Sequence, residues 1–178
     1  MQYAFVTGCS KPVSRVVLGT MIINRGERDK SYALLDAALA QGCTTLDTAH
    51  GYAGGDSERC IGDWIKDRNN RDQMVILTKG CHHNGDRQRV TPADIGSDLQ
   101  DSLARLKADH VDIYLLHRDD TFHSVLRSIH RVARLVAAQI TPRVAIEIEK
   151  IGSRCADARL LAIMTPILIA PLHSTPLR

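Results

Sequence analysis

The strongest constraint in this sequence is an alternation of β-like and α-like segments that runs as far as Asp120 and then stops. It recurs at roughly 30 residues per unit, the length of a βαβ repeat. Ser14–Gly19 is a short β-branched run. A helix-like stretch follows, in which Leu34, Leu35, Ala38 and Leu39 recur at helical spacing and Gly42 sits where a helix would end. Cys43–Thr48 reads as a second strand, and Ser57 is placed to cap a helix whose Ile61, Trp64 and Ile65 share one face. Met74–Thr78 is a third strand, apolar until Thr78, as expected of a strand covered on both sides. Thr91-Pro92 starts another helix, with Thr91 as cap, Pro92 at the first helical position and Asp94 near the positive end of the dipole. Its apolar stripe is Ile95, Leu99, Leu103 and Leu106, and Val111–Leu116 is the fourth strand. Such a pattern implies sequential parallel strands, in either a doubly wound sheet or a (β/α) barrel. A G-x-G-x-x-G turn after the first strand would favour the doubly wound sheet, but that strand ends in Gly19-Thr20-Met21.

At 178 residues the chain is short for a complete (β/α)8 barrel, which needs roughly 250. Its composition, 44% hydrophobic and 24% charged, is that of a globular protein. The net charge of +3 is too small to point to nucleic acid, and it conceals a break. Residues 1–120 carry 15 Lys/Arg against 17 Asp/Glu; residues 121–178 carry 8 against 3, and only Gly152 of the twelve glycines. Five widely spaced cysteines without a C-x-x-C pair suit a reducing compartment. Residues 1–8 lack the basic start and apolar core of a signal peptide. The longest apolar run, Leu160–Leu172, contains Thr165, Pro166 and Pro171 and falls short of the ~20 residues of a membrane span. A cytoplasmic protein with no membrane or nucleic-acid partner is expected.

In parallel α/β folds the chemistry collects at the carboxyl ends of the strands. The second strand ends with Asp47, followed by Tyr52; the third ends at Lys79 and the fourth at His117. A carboxylate, a phenol, an ammonium and an imidazole therefore share one rim. They suit the protonation of a carbonyl oxygen while a hydride reaches its carbon. An ammonium beside a phenol stabilises the phenolate and eases proton donation. Asp47 would hold the ammonium, and His117 would orient the carbonyl. Taken singly, a polar residue at a strand end is usually just the start of a solvated loop: Asp47 alone could cap a turn, Lys79 be a surface lysine and His117 a satisfied rim histidine. Cys81-His82-His83 reads as a loop at the pocket mouth rather than a metal site, because adjacent side chains on a strand point apart and no further ligand stands at zinc spacing. No metal is expected. Asp119 and Asp120, past the fourth strand, read as solvated.

Several of these segments together resemble the aldo-keto reductases: LGTM (Leu18–Met21), LDTAHGYAGGDSERCIG (Leu46–Gly62), ILTKG (Ile76–Gly80) and DLQDSLARLKADHVDIYLLHRDD (Asp98–Asp120). The resemblance covers residues 1–120. It implies a (β/α)8 barrel that reduces an aldehyde or ketone with NADPH. The family's catalytic Asp, Tyr, Lys and His fall on Asp47, Tyr52, Lys79 and His117. Its nicotinamide-ribose turn falls on Gly19, Thr20 and Met21, with Asp47 beside it. Met1–Ser14 resembles the hairpin that closes the bottom of such barrels.

Residues 121–178 depart from the family. The G-[KR]-[IL]-R-x-x-G-x-S-N segment, the following Gln and the Lys/Ser/Arg cluster for the 2′-phosphate have no counterpart there. The expected architecture is therefore a partial barrel of four βα units, residues 1–120, with a divergent basic tail, residues 121–178. That tail holds a helix-like face (Val125, Ile129, Val132, Val136, Ile140), a strand-like Val144–Ile148 and an ambiguous Leu160–Ile169. Truncation of a longer reductase, with the tail out of frame, is the origin this suggests. Its open strand edges offer a route to self-association. The alternative to an active reductase is an inactive remnant or a non-enzymatic regulatory subunit.

Overall fold

The computed structural model describes residues 1–6 and 9–118. The readings for residues 119–178, the tail helix and strand among them, lie outside these. A short hairpin comes first: β1 (Tyr3–Ala4) pairs antiparallel with β2 (Val13–Ser14). Four parallel strands follow, β3 (Val17–Gly19), β4 (Thr45–Asp47), β5 (Val75–Gly80) and β6 (Ile113–Leu116), neighbours in sequence order. Between them run α1 (Arg28–Ala40), α2 (Asp56–Arg68) and α3 (Pro92–Leu106). Among the described residues, no helix is long and apolar enough to cross a membrane.

Most elements stand where the periodicity puts them, and the differences have local causes. The run Ser14–Gly19 is divided between β2 and β3, because the Ser14 hydroxyl donates to the Val16 carbonyl at 2.8 Å and the chain bends there. Along α1 the buried face is Ser31, Tyr32 and Leu35, while Leu34 is 37% exposed. Ser57 does not cap α2; the helix begins at Asp56 after a tight turn, and the Ser57 hydroxyl donates to the Thr20 carbonyl at 2.8 Å. Thr91 does cap α3, in a reciprocal box with Asp94, and Ile95, Leu99, Leu103 and Leu106 are all buried.

The core lies between the sheet and the helices, around Leu46, Ile76, Ile61, Trp64, Leu99 and Leu106. At the amino-terminal ends of the strands the hairpin is tied down by charge. Lys11 reaches buried Asp112 at 2.8 Å, and Arg71 reaches its other oxygen at 3.0 Å. Asp112 also accepts the Ile76 N–H at 2.8 Å. Tyr3 donates to the Gly42 carbonyl at 2.9 Å, and Ser14 and Thr45 exchange hydrogen bonds between backbone N–H and side-chain oxygen.

Helices α2 and α3 touch backbone to backbone at Gly62, where a β-carbon would meet the Leu106 carbonyl carbon at 2.7 Å. The obstacle is main chain and cannot rotate away. Gly62→Ala is expected to force the helices apart and lower stability by about 2–3 kcal/mol, the scale of an overpacked core. Urea unfolding at neutral pH measures it, and an unchanged midpoint would refute the close approach.

Candidate active site

Parallel register brings the ends of β3 to β6 to one rim. Gly19 pairs with Asp47, Asp47 with Leu77, and Lys79 with Leu115. Past its last paired residue β4 continues over β5, the Thr48 N–H donating to the Leu77 carbonyl at 2.9 Å and the His50 N–H to the Lys79 carbonyl at 2.8 Å. Tyr52 opens the short 3-10 turn Tyr52–Gly55 that follows. His117 comes directly after β6, its N–H on the Gly80 carbonyl at 2.8 Å.

Lys79 is the hub. Its Nζ donates to Asp47 Oδ1, to the Thr48 carbonyl at 2.9 Å and to the Tyr52 phenol oxygen at 3.3 Å. The lysine side chain is 14% exposed, so its charge depends on these partners rather than on water. His117 meets Tyr52 edge-on, ring centroids 5.9 Å apart, and His82 from the loop after β5 meets His117 edge-on at 4.9 Å. The structure thus brings Asp47, Tyr52, Lys79 and His117 together, with His82 beside them. Such a set can hand a proton to an oxygen and stabilise the anion left behind.

The Gly19-Thr20-Met21 turn is fixed on one side and open on the other. Thr20 is buried, and its N–H and hydroxyl both donate to the Asp47 carbonyl at 3.0 Å. Ser57 and Thr48 complete the hydroxyl cluster, 3.3 Å apart. An added β-carbon on Gly19 would meet nothing within 4 Å among the described residues, and Met21 is 67% exposed.

Sequence reasoning passed over Glu58 and Arg105. Glu58 is fully buried; it accepts from the Thr78 hydroxyl at 2.7 Å and from Arg105 at 3.3 Å, and Arg105 also donates to the His50 carbonyl at 2.8 Å. The readable signal is a carboxylate on the same helical face as Ile61 and Ile65.

Burial, reinforced by His82, Lys79 and Arg118, pulls the His117 imidazole down from 6.5 to about 4. The folded chain therefore keeps it neutral where the unfolded chain takes up a proton. Stability contributed by the neutral ring is lost as pH falls from about 6.5 to about 4, and the loss is constant below that window. His117→Gln, which cannot titrate, is expected to flatten the pH dependence of the urea midpoint across this range. An identical slope in both proteins would contradict the buried neutral ring.

The family model described as the Aldo/keto reductase family matches residues 15–152, so it extends beyond Asp120, where the recognisable motifs end. The aldo-keto reductase YhdN of Bacillus subtilis is 34% identical over 128 residues, covering 67% of this chain and 39% of its own length. An aryl-alcohol dehydrogenase (NADP(+)) of Phanerodontia chrysosporium is 34% identical over 149 residues, covering 70% of this chain and 39% of its own. In structure, the holo form of aldo-keto reductase AKR11C1 from Bacillus halodurans superposes with a TM-score of 0.67 at 24% identity, over 83% of this chain and 50% of that one. The chain thus spans well under half the length of these two curated relatives and matches half of the solved structure. With its parallel βα units in the same order, the described fold is part of a (β/α)8 barrel, and the chain belongs to the aldo/keto reductase family of oxidoreductases.

Proposed function

We propose that this chain carries the proton-donating half of an NADPH-dependent reductase that converts an aldehyde or ketone to an alcohol. The supporting observation is Lys79 bound at once to the Asp47 carboxylate and the Tyr52 phenol, with neutral His117 beside them. Tyr52 acts as general acid, passing its proton to the carbonyl oxygen of a small substrate. Lys79 stabilises the phenolate that remains, and Asp47 holds Lys79 in place. His117, neutral at pH 7, hydrogen-bonds the carbonyl and orients it without competing as a proton donor.

The Gly19-Thr20-Met21 turn fits a cofactor. Its backbone is anchored through Thr20 while Gly19 and Met21 face open space beside Asp47. These residues and Asp47 would hold the nicotinamide ribose, and bound NADPH would supply the hydride for the carbonyl carbon. A cytoplasmic setting accords with this cofactor and with the free thiols of Cys43, Cys60 and Cys81.

Fluorescence titration with NADPH, followed by turnover on a panel of aldehydes and ketones, tests the proposal. Binding in the micromolar range is expected, and Tyr52→Phe should cut kcat by ~10²–10⁴-fold, the contribution of a general acid, while cofactor affinity holds. Absence of binding at millimolar NADPH would make the chain an inactive remnant or a regulatory subunit.

A further inference from the structure

Behind the loop that carries Tyr52 lies a pair of charges that the proposed proton transfer does not use. Glu58, on α2, is fully buried between the Thr78 hydroxyl and Arg105. Arg105, on α3, donates through Nη1 to the His50 carbonyl at 2.8 Å. It also lies against Gly55, where a β-carbon would come within 2.5 Å of Nη1 and 2.6 Å of the guanidinium carbon. His50 and Gly55 bracket Tyr52. Between them the chain passes through three successive left-handed residues, Ala53 (φ 49°), Gly54 (φ 63°) and Gly55 (φ 85°). An alanine in that region persists where the surroundings hold it.

A buried ion pair adds little net stability over an apolar pair of the same volume. Packing therefore does not account for one here. What an apolar pair could not do is grip the His50 carbonyl from a guanidinium that a carboxylate keeps in place. Thr78 immediately precedes Lys79, so the chain Thr78–Glu58–Arg105–His50 ties the strand bearing the lysine to the loop bearing the tyrosine.

We propose that Arg105, held by Glu58, is a positioning residue for Tyr52. It pins both ends of the left-handed turn and so sets where the phenol stands relative to Lys79. Its catalytic meaning rests on Tyr52 as proton donor; its geometric content does not, and is tested without turnover.

The test is NMR of the whole chain labelled with 13Cζ-tyrosine, the Tyr52 signal being identified by its loss in Tyr52→Phe. The unaltered protein is expected to show one Tyr52 signal, which Lys79→Met displaces. The double variant Glu58→Gln/Arg105→Met leaves no buried ion alone. In it the Tyr52 signal is expected to split or broaden and its response to Lys79→Met to be lost, while Tyr3 and Tyr32 stay in place. A single Tyr52 signal at its original position overturns the proposal. If Lys79→Met leaves Tyr52 unmoved in the unaltered background, the lysine contact behind the proposed function fails. Splitting or constancy of Tyr52 in the double variant still decides the role of Arg105. Should that variant not fold, Arg105→Lys, which keeps the charge and loses the planar fork, decides in the same way: a displaced or split Tyr52 signal upholds the role and an unmoved one overturns it.

Discussion

Lys79 carries a positive charge into a place that water scarcely reaches, and the rim of the sheet is arranged around it. The carboxylate of the neighbouring strand, a backbone carbonyl and a phenol share its donors. The meeting follows from strand geometry. Asp47 is paired with Leu77, and Lys79 lies two residues further along β5, on the same face as Leu77. A shift of register by one residue would turn the lysine to the other face and leave the carboxylate without it. The rim chemistry is thus a consequence of how β4 and β5 pair, before any loop is considered.

The two ends of the sheet divide the work. The base is closed by the hairpin and by Asp112, whose carboxylate gathers Lys11, Arg71 and a strand N–H. The rim instead leaves Gly19 and Met21 facing open space and keeps His117 neutral, with no partner for its Nδ1 among the described residues. In parallel βα folds that asymmetry marks the end where ligands bind.

What was legible in the sequence was local. Alternation of strand and helix, the Thr91 capping box and polar residues at the ends of apolar strands are all short-range signals, and they located the sheet and the Asp47, Tyr52, Lys79 and His117 group. Features decided by a distant neighbour were not legible. Ser57 has the look of a helix cap, but its hydroxyl donates to the Thr20 carbonyl in the turn after β3. Tyr32 displaces Leu34 from the buried face of α1, its hydroxyl donating to Asp67 on α2 at 2.9 Å. Glu58 and Arg105 sit in separate repeats, and nothing in either repeat announces that the other completes it.

The tie between Lys11 and Asp112 joins opposite ends of the described chain. Contacts of such long sequence separation carry a large loop-closure cost and gain little until the intervening segments are already compact. The hairpin precedes β6 in the chain, yet it is among the last of the described elements to find its place. Until β6 is laid down, Lys11 lacks the Asp112 carboxylate and the floor of the sheet stands open, which makes the basal clamp a record of assembly through the fourth parallel strand.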